Sequence, residues 1–138
     1  MPSLIYNRCL ENAARGTIDF DTDTFKVMLV TSGYTENKDT HDFRDDVTNE
    51  VVGAGYTTGG NVVTVTVTRD DANDRVDMSL GGTTWPTSTI TARKAVYYKS
   101  RGGAASADEI IAVNDFGSDV ISTGGTFTLN ASTLRIQN

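Results

Sequence analysis

The densest apolar run of the chain is Phe25-Lys26-Val27-Met28-Leu29-Val30, followed by Thr31-Ser32-Gly33-Tyr34. A short apolar run that closes on turn residues predicts a buried strand, and Val27 and Val30 favour extended backbone. Phe25, Val27 and Leu29 fall on one face, Met28 and Val30 on the other. A strand apolar on both faces is covered on both sides, so the rest of the chain is expected to pack around it. The clearest alternation lies in residues 61–68, with Val63, Val65 and Val67 on one face and Thr64, Thr66 and Thr68 opposite. It predicts one half-buried antiparallel strand. After the polar turn 69–74, residues 75–80 return with Val76, Met78 and Leu80 inward, which completes a hairpin.

Further strands are predicted over 90–100 (Val96 and Tyr98 against Ala95 and Tyr97), 109–116, 126–129 and 132–137. Turns are predicted at 81–86 around Trp85-Pro86, at the small-residue loop 101–107, and at Ser122-Thr123-Gly124-Gly125. The glycines of 50–60 mark a strand end, a bend and a turn. No lysine follows them and a strand comes next, so they are not a phosphate-binding loop. A short helix is predicted over 3–15, capped by Ser3 and stopped by Gly16, with Tyr6, Leu10, Ala13 and Ala14 on one face. It either closes one end of the β core or serves as an arm that docks on a neighbouring subunit. Residues 35–47 are the longest departure from strand patterning. A helical turn over 41–47 would bury Phe43 with Val47, and this stretch is the expected contact loop. Together these elements predict an all-β fold: one domain over residues 1–138, a β-sandwich or jelly roll with a short N-terminal helix or arm over 1–16.

Composition agrees. Thr is the commonest residue, Gly numbers 13 and Pro only 2, as strands joined by tight turns require. Hydrophobic content of 38% and charged content of 22% are those of a folded globular chain. The formal net charge of −6 argues against a nucleic-acid partner, because phosphates are bound by neutralising Lys and Arg. Arg93, Lys94, Lys99 and Arg101 form the one local basic cluster, read as a solvated strand face or as the positive half of a protein contact. One cysteine, Cys9, precludes an intrachain disulfide. No secretory signal and no membrane span are expected.

Catalytic chemistry finds little to work with. His41 is the only histidine and Cys9 the only cysteine, and no local signature pairs them. Zinc needs several such ligands. The acidic run Asp19-Phe20-Asp21-Thr22-Asp23 lacks the glycine and closing glutamate of a calcium loop, and the spacing of Asp70, Asp71, Asp74 and Asp77 fits no known loop motif. No catalytic, cofactor or metal residue is assigned, and no enzyme is expected. Trp85 is read as a lid on the core, with a ligand or subunit anchor as the alternative.

Several stretches resemble a family of small phage virion proteins encoded among head genes. They are residues 16–30 (Gly-Thr-Ile-Asp-Phe-Asp-Thr-Asp-Thr-Phe-Lys-Val-Met-Leu-Val), then Asp39-Thr40-His41-Asp42-Phe43, Asp46-Val47-Thr48-Asn49-Glu50-Val51 and Gly53-Ala54-Gly55-Tyr56-Thr57. Thr84-Trp85, Ser88-Thr89-Ile90-Thr91-Ala92-Arg93 and Asp115-Phe116-Gly117-Ser118 extend the resemblance. It implies a virion component made in the host cytoplasm. The form expected is a capsid decoration or cement protein at the capsid surface, contacting the major capsid protein and copies of itself, with neither nucleic acid nor membrane as partner. Contacts are then expected from Leu4, Ile5 and Tyr6, from His41, Asp42, Phe43 and Arg44 in the 41–46 loop, and from Trp85. Two other readings remain: a neck, tail or fibre-associated virion protein, and a carbohydrate-binding β-sandwich that stacks sugars on Trp85, Tyr97 or Tyr98.

Overall fold

The computed structural model describes residues 2–138; Met1, the first residue of the expected arm, lies outside them. The protein is an all-β sandwich of two antiparallel sheets with one short helix near the N-terminus. The chain order is β1 (Leu4–Ile5), α1 (Asn7–Arg15), β2 (Phe25–Val30), β3 (Asn61–Val63), β4 (Val65–Asp70), β5 (Arg75–Leu80), β6 (Thr83–Lys99), β7 (Ile110–Leu129) and β8 (Ser132–Gln137). The larger sheet has the order β1-β7-β6-β2-β3 and the smaller β4-β5-β8.

Strand β2 lies inside the larger sheet, paired with β6 from Phe25↔Lys99 to Val30↔Lys94 and with β3 on its other edge. Its two faces feed two separate cores. Phe25, Val27 and Leu29, with Ala95 and Tyr97, pack against Met78, Leu80 and Leu134 of the smaller sheet, and Cys9 and Ile18 join them. Met28 and Val30, with Val96, Tyr98, Ile110 and Val113, form the second core with Tyr6 and Tyr34, and Leu4 and Val47 pack on it. The covering layer on that side is the N-terminal segment with the long connection between β2 and β3. The expectation for β2 therefore holds, because a strand apolar on both faces has two layers to satisfy.

The structure corrects several local expectations. Residues 3–15 are not one helix. Leu4–Ile5 pairs with Val113 and Ala112 of β7, and the helix begins only at Asn7. Ser3 caps nothing; its hydroxyl accepts the Asp115 N–H. Tyr6 occupies the cap position without its side chain capping the helix, whereas Gly16 ends the helix as expected, in the left-handed region at φ 76°. With β1 fixing the approach, α1 turns Cys9 and Asn12 inward and leaves Leu10 outside.

The alternating run 61–68 is two strands in two sheets: β3 extends the larger sheet and β4 opens the smaller, with Thr64 between them. Gly60 lets β3 start flush against β2. Its φ is +72°, and a Cβ there would stand 1.8 Å from the Val27 carbonyl oxygen. Of the expected turn 81–86, Gly81 and Gly82 do connect β5 to β6, but Thr83 to Pro86 lie inside β6, and the expected turn 122–125 lies inside β7; the two long strands pair from Thr83↔Leu129 to Tyr98↔Ile110. Their turn-forming residues appear instead as register shifts near Trp85, Ser88 and Ala92, as β-bulges absorb extra residues into a ladder. Finally, the loop 35–47 holds a single 3-10 turn, Arg44–Asp46, and Phe43 and Val47 are half-buried. The hairpin β4–β5 and the terminal strand β8 stand as expected.

Candidate functional site

The N-terminal segment and the 41–44 loop, far apart in sequence, meet on the covered side of the larger sheet. The Tyr6 and Tyr34 hydroxyls are 2.6 Å apart, and the Tyr34 hydroxyl lies 2.8 Å from His41 Nδ1. The Asn37 backbone N–H also points at Nδ1, at 3.4 Å. A backbone N–H only donates, so Nδ1 accepts and the imidazole proton sits on Nε2. The chain of donation therefore runs from Tyr6 to Tyr34 to His41. Tyr6 also stacks on the His41 ring at 6.3 Å. Burial pushes the Tyr6 phenol far above its ordinary range and that of Tyr34 up to about 12.

The rest of the loop is held by charge. Arg8 Nη2 donates to Asp42 at 2.9 Å, and its guanidinium lies over the Phe43 ring. Arg44 donates to Asp108 at 2.8 Å and covers the Tyr98 ring at 5.0 Å. The Asp46 carboxylate accepts the N–H groups of Asp42 and Phe43 at 2.7 and 3.1 Å. Burial works against that charge, but the two N–H groups outweigh it and hold the carboxyl below its usual range. This cluster is a clasp that fastens the covering layer. Tyr6 is wholly buried in it, so the expectation that it meets a partner is corrected. Leu4 and Ile5 are half-buried, spent on β1 pairing and on the two cores. His41, Asp42, Phe43 and Arg44 keep some outer surface.

Trp85 is not in this neighbourhood. It is 2% exposed, between Tyr56 at 5.9 Å and Phe127 at 5.8 Å. The core reading stands and the surface anchor is corrected: an inward residue of β6 has no outer face to offer. Tyr97 and Tyr98 are equally buried, so none of the three aromatics supplies a platform for stacking a sugar. Cys9 belongs to the core on the other side of the larger sheet from the clasp, and burial pushes its thiol up to about 12. It therefore forms no pair with His41.

The basic cluster is consumed by ion pairs: Arg93 with Asp115, Lys94 with Glu36, Lys99 with Asp23 and Arg101 with Glu109. Every arginine, with Lys94 and Lys99, stands in such a pair, which leaves only Lys26 and Lys38 outside one among the described residues. The free charge of the surface is therefore acidic. No three His, Cys, Asp or Glu side chains converge as a metal group among the described residues.

One surface feature had no counterpart in the sequence reading. A groove of about 390 Å³ opens between α1, the turn that follows it, and the inner face of the smaller sheet. Ala13, Ile18, Phe20, Val67, Met78 and Ile136 line it, with Asp19 and Asp21 at its rim. A smaller apolar recess continues it toward Leu10 and Leu134. The sequence signal was the apolar alternation of β4, β5 and β8, which marks an inner face without saying how far the opposite layer reaches. Comparison with family models, with curated proteins and with solved structures gives no match to this chain.

Proposed function

We propose that the protein is a non-enzymatic virion component, a capsid decoration or cement protein that binds the major capsid protein and reinforces the shell. The observation that carries this reading is the resemblance to small phage virion proteins, which runs in order from Gly16 to Ser118 and covers most of the chain. The architecture suits the role. Two cores back to back, with a clasp fastening the outer layer, make a closely packed, rigid unit. A rigid unit loses little conformational freedom on docking, and symmetric placement on a shell gives each copy several neighbours at once. Arginines already paired with carboxylates are poorly placed to neutralise phosphates, which speaks against nucleic acid as partner. With Tyr6 and Trp85 inside, the outer surface of His41 to Arg44 remains as a contact region.

The test is the copy number in purified particles, by quantitative mass spectrometry against the major capsid protein. The expected result is a stoichiometry comparable to that of the shell protein. A count matching a single ring would move the protein to the neck or tail, and complete absence would overturn the virion reading.

A further inference from the structure

The inner face of the smaller sheet is longer than the core it covers. Its cross-strand rows become steadily more exposed toward one end. Leu80 and Ser132 are buried, and in the next row Met78 and Leu134 are buried while Val67 is 39% exposed. In the last row Val76 stands between Ile136, which is 60% exposed, and Arg69, whose guanidinium is paired with Asp71. These side chains point the same way as the core, so their exposure is not that of an outer sheet face. On the facing lip, Leu10 of α1 is 57% exposed, and Ala13 and Phe20 form the wall. An inward-facing apolar row left open beside a helix is the geometry into which a further apolar segment packs.

The rim says what that segment carries. Asp19 and Asp21 stand at the mouth, and neither is in an ion pair among the described residues. The Asp19 carboxylate is set in place by the Asp21 N–H at 2.9 Å. That bond, with those from Thr22, holds its pKa below the usual carboxylate range, so it is charged at every physiological pH. Lys99, whose charge acts on Asp19, is already committed to Asp23 and to the Thr17 carbonyl. A second copy of this chain is a poor occupant, since among its described residues only Lys26 and Lys38 are basic side chains outside ion pairs, and the copies repel at a net charge of −6. We infer that the groove docks an amphipathic segment of a different protein, apolar along one face and bearing lysine or arginine where it meets Asp19 and Asp21. This inference stands apart from the capsid reading, because its test uses the isolated chain.

The probe is a synthetic amphipathic peptide of leucine and lysine, titrated into the isotope-labelled protein and followed by amide shifts. Two control peptides replace all lysines by glutamate or all leucines by serine. Shifts are expected to concentrate on Ala13, Phe20, Val67 and Ile136, with each control at least tenfold weaker. Ile136→Glu, and separately Asp19→Asn with Asp21→Asn, are each expected to weaken binding about tenfold. Asparagine keeps the oxygen that accepts the Asp21 N–H, and Ile136 is exposed, so these variants keep the fold; circular dichroism checks it. Ile121→Glu, an exposed apolar residue of β7, should leave the affinity within twofold. Shifts spread over all the acidic surfaces, or binding indifferent to Ile136→Glu, overturn the inference. So does a dimer of the free chain that Ile136→Glu dissolves, since the groove would then belong to a second copy.

Discussion

Replacing Tyr34 by Phe tests the clasp at its middle. Tyr34 accepts from the buried Tyr6 hydroxyl at 2.6 Å and donates to His41 Nδ1 at 2.8 Å. Tyr34→Phe removes the second bond, worth about 0.5–1.5 kcal/mol, and strands a buried donor on Tyr6, which costs about 1–3 kcal/mol. The expected loss is roughly 2–4 kcal/mol. Tyr6→Phe leaves Tyr34 bonded to His41 and takes away only one donor, so about 1 kcal/mol is expected. In the double variant no donor is stranded, and its cost should not exceed that of Tyr34→Phe alone. The coupling in the cycle is then about 1–2 kcal/mol, well above the roughly 0.3–0.5 kcal/mol scatter of independent sites. Urea unfolding followed by circular dichroism measures all four proteins, and for a chain of this size each kcal/mol also moves Tm by about 3–5 °C. Additive costs would refute the shared network. A Tyr6→Phe as costly as Tyr34→Phe would refute the direction of donation.

Gly60→Ala is expected to cost at least about 2 kcal/mol, because a Cβ at φ +72° meets the Val27 carbonyl backbone and forces β3 away from β2; a wild-type urea midpoint would contradict this. Trp85→Ala should cost about 3–5 kcal/mol by emptying the space between Tyr56 and Phe127. The single indole should emit in the blue and resist iodide quenching until the protein unfolds, and ready quenching in the folded state would put Trp85 at the surface. Burial raises all five phenols, those of Tyr34, Tyr97 and Tyr98 to about 12 and those of Tyr6 and Tyr56 further. A raised folded pKa favours the neutral form. Its stabilisation is whole below the unfolded value of about 10 and is lost as pH rises from there toward about 12. Phenolate absorbance should therefore appear together with alkaline unfolding, and a gradual titration near pH 10 with the fold intact would count against the burial of these rings.

Pattern and register contributed different parts of this protein. Strand character, the two apolar faces of β2, the β4–β5 hairpin, the stop at Gly16 and the terminal strand were all legible in the sequence. Each depends on side-chain period and turn chemistry within a few residues. The sequence could not show that the valines of 61–67 divide between two sheets, because alternation reads the same whichever partner a strand finds. Nor could it show that the Trp85-Pro86 and Gly124-Gly125 signals lie inside one bulged ribbon, since long-range pairing overrides a local turn preference. Tyr6, His41 and the 42–44 loop were singled out one by one, but only tertiary contact made them a clasp and buried Tyr6 in it. Trp85 went inside for the same reason: depth is set by what packs on the other side. The groove arises where β4, β5 and β8 outrun the layer facing them, and that mismatch of lengths exists only once both layers are folded.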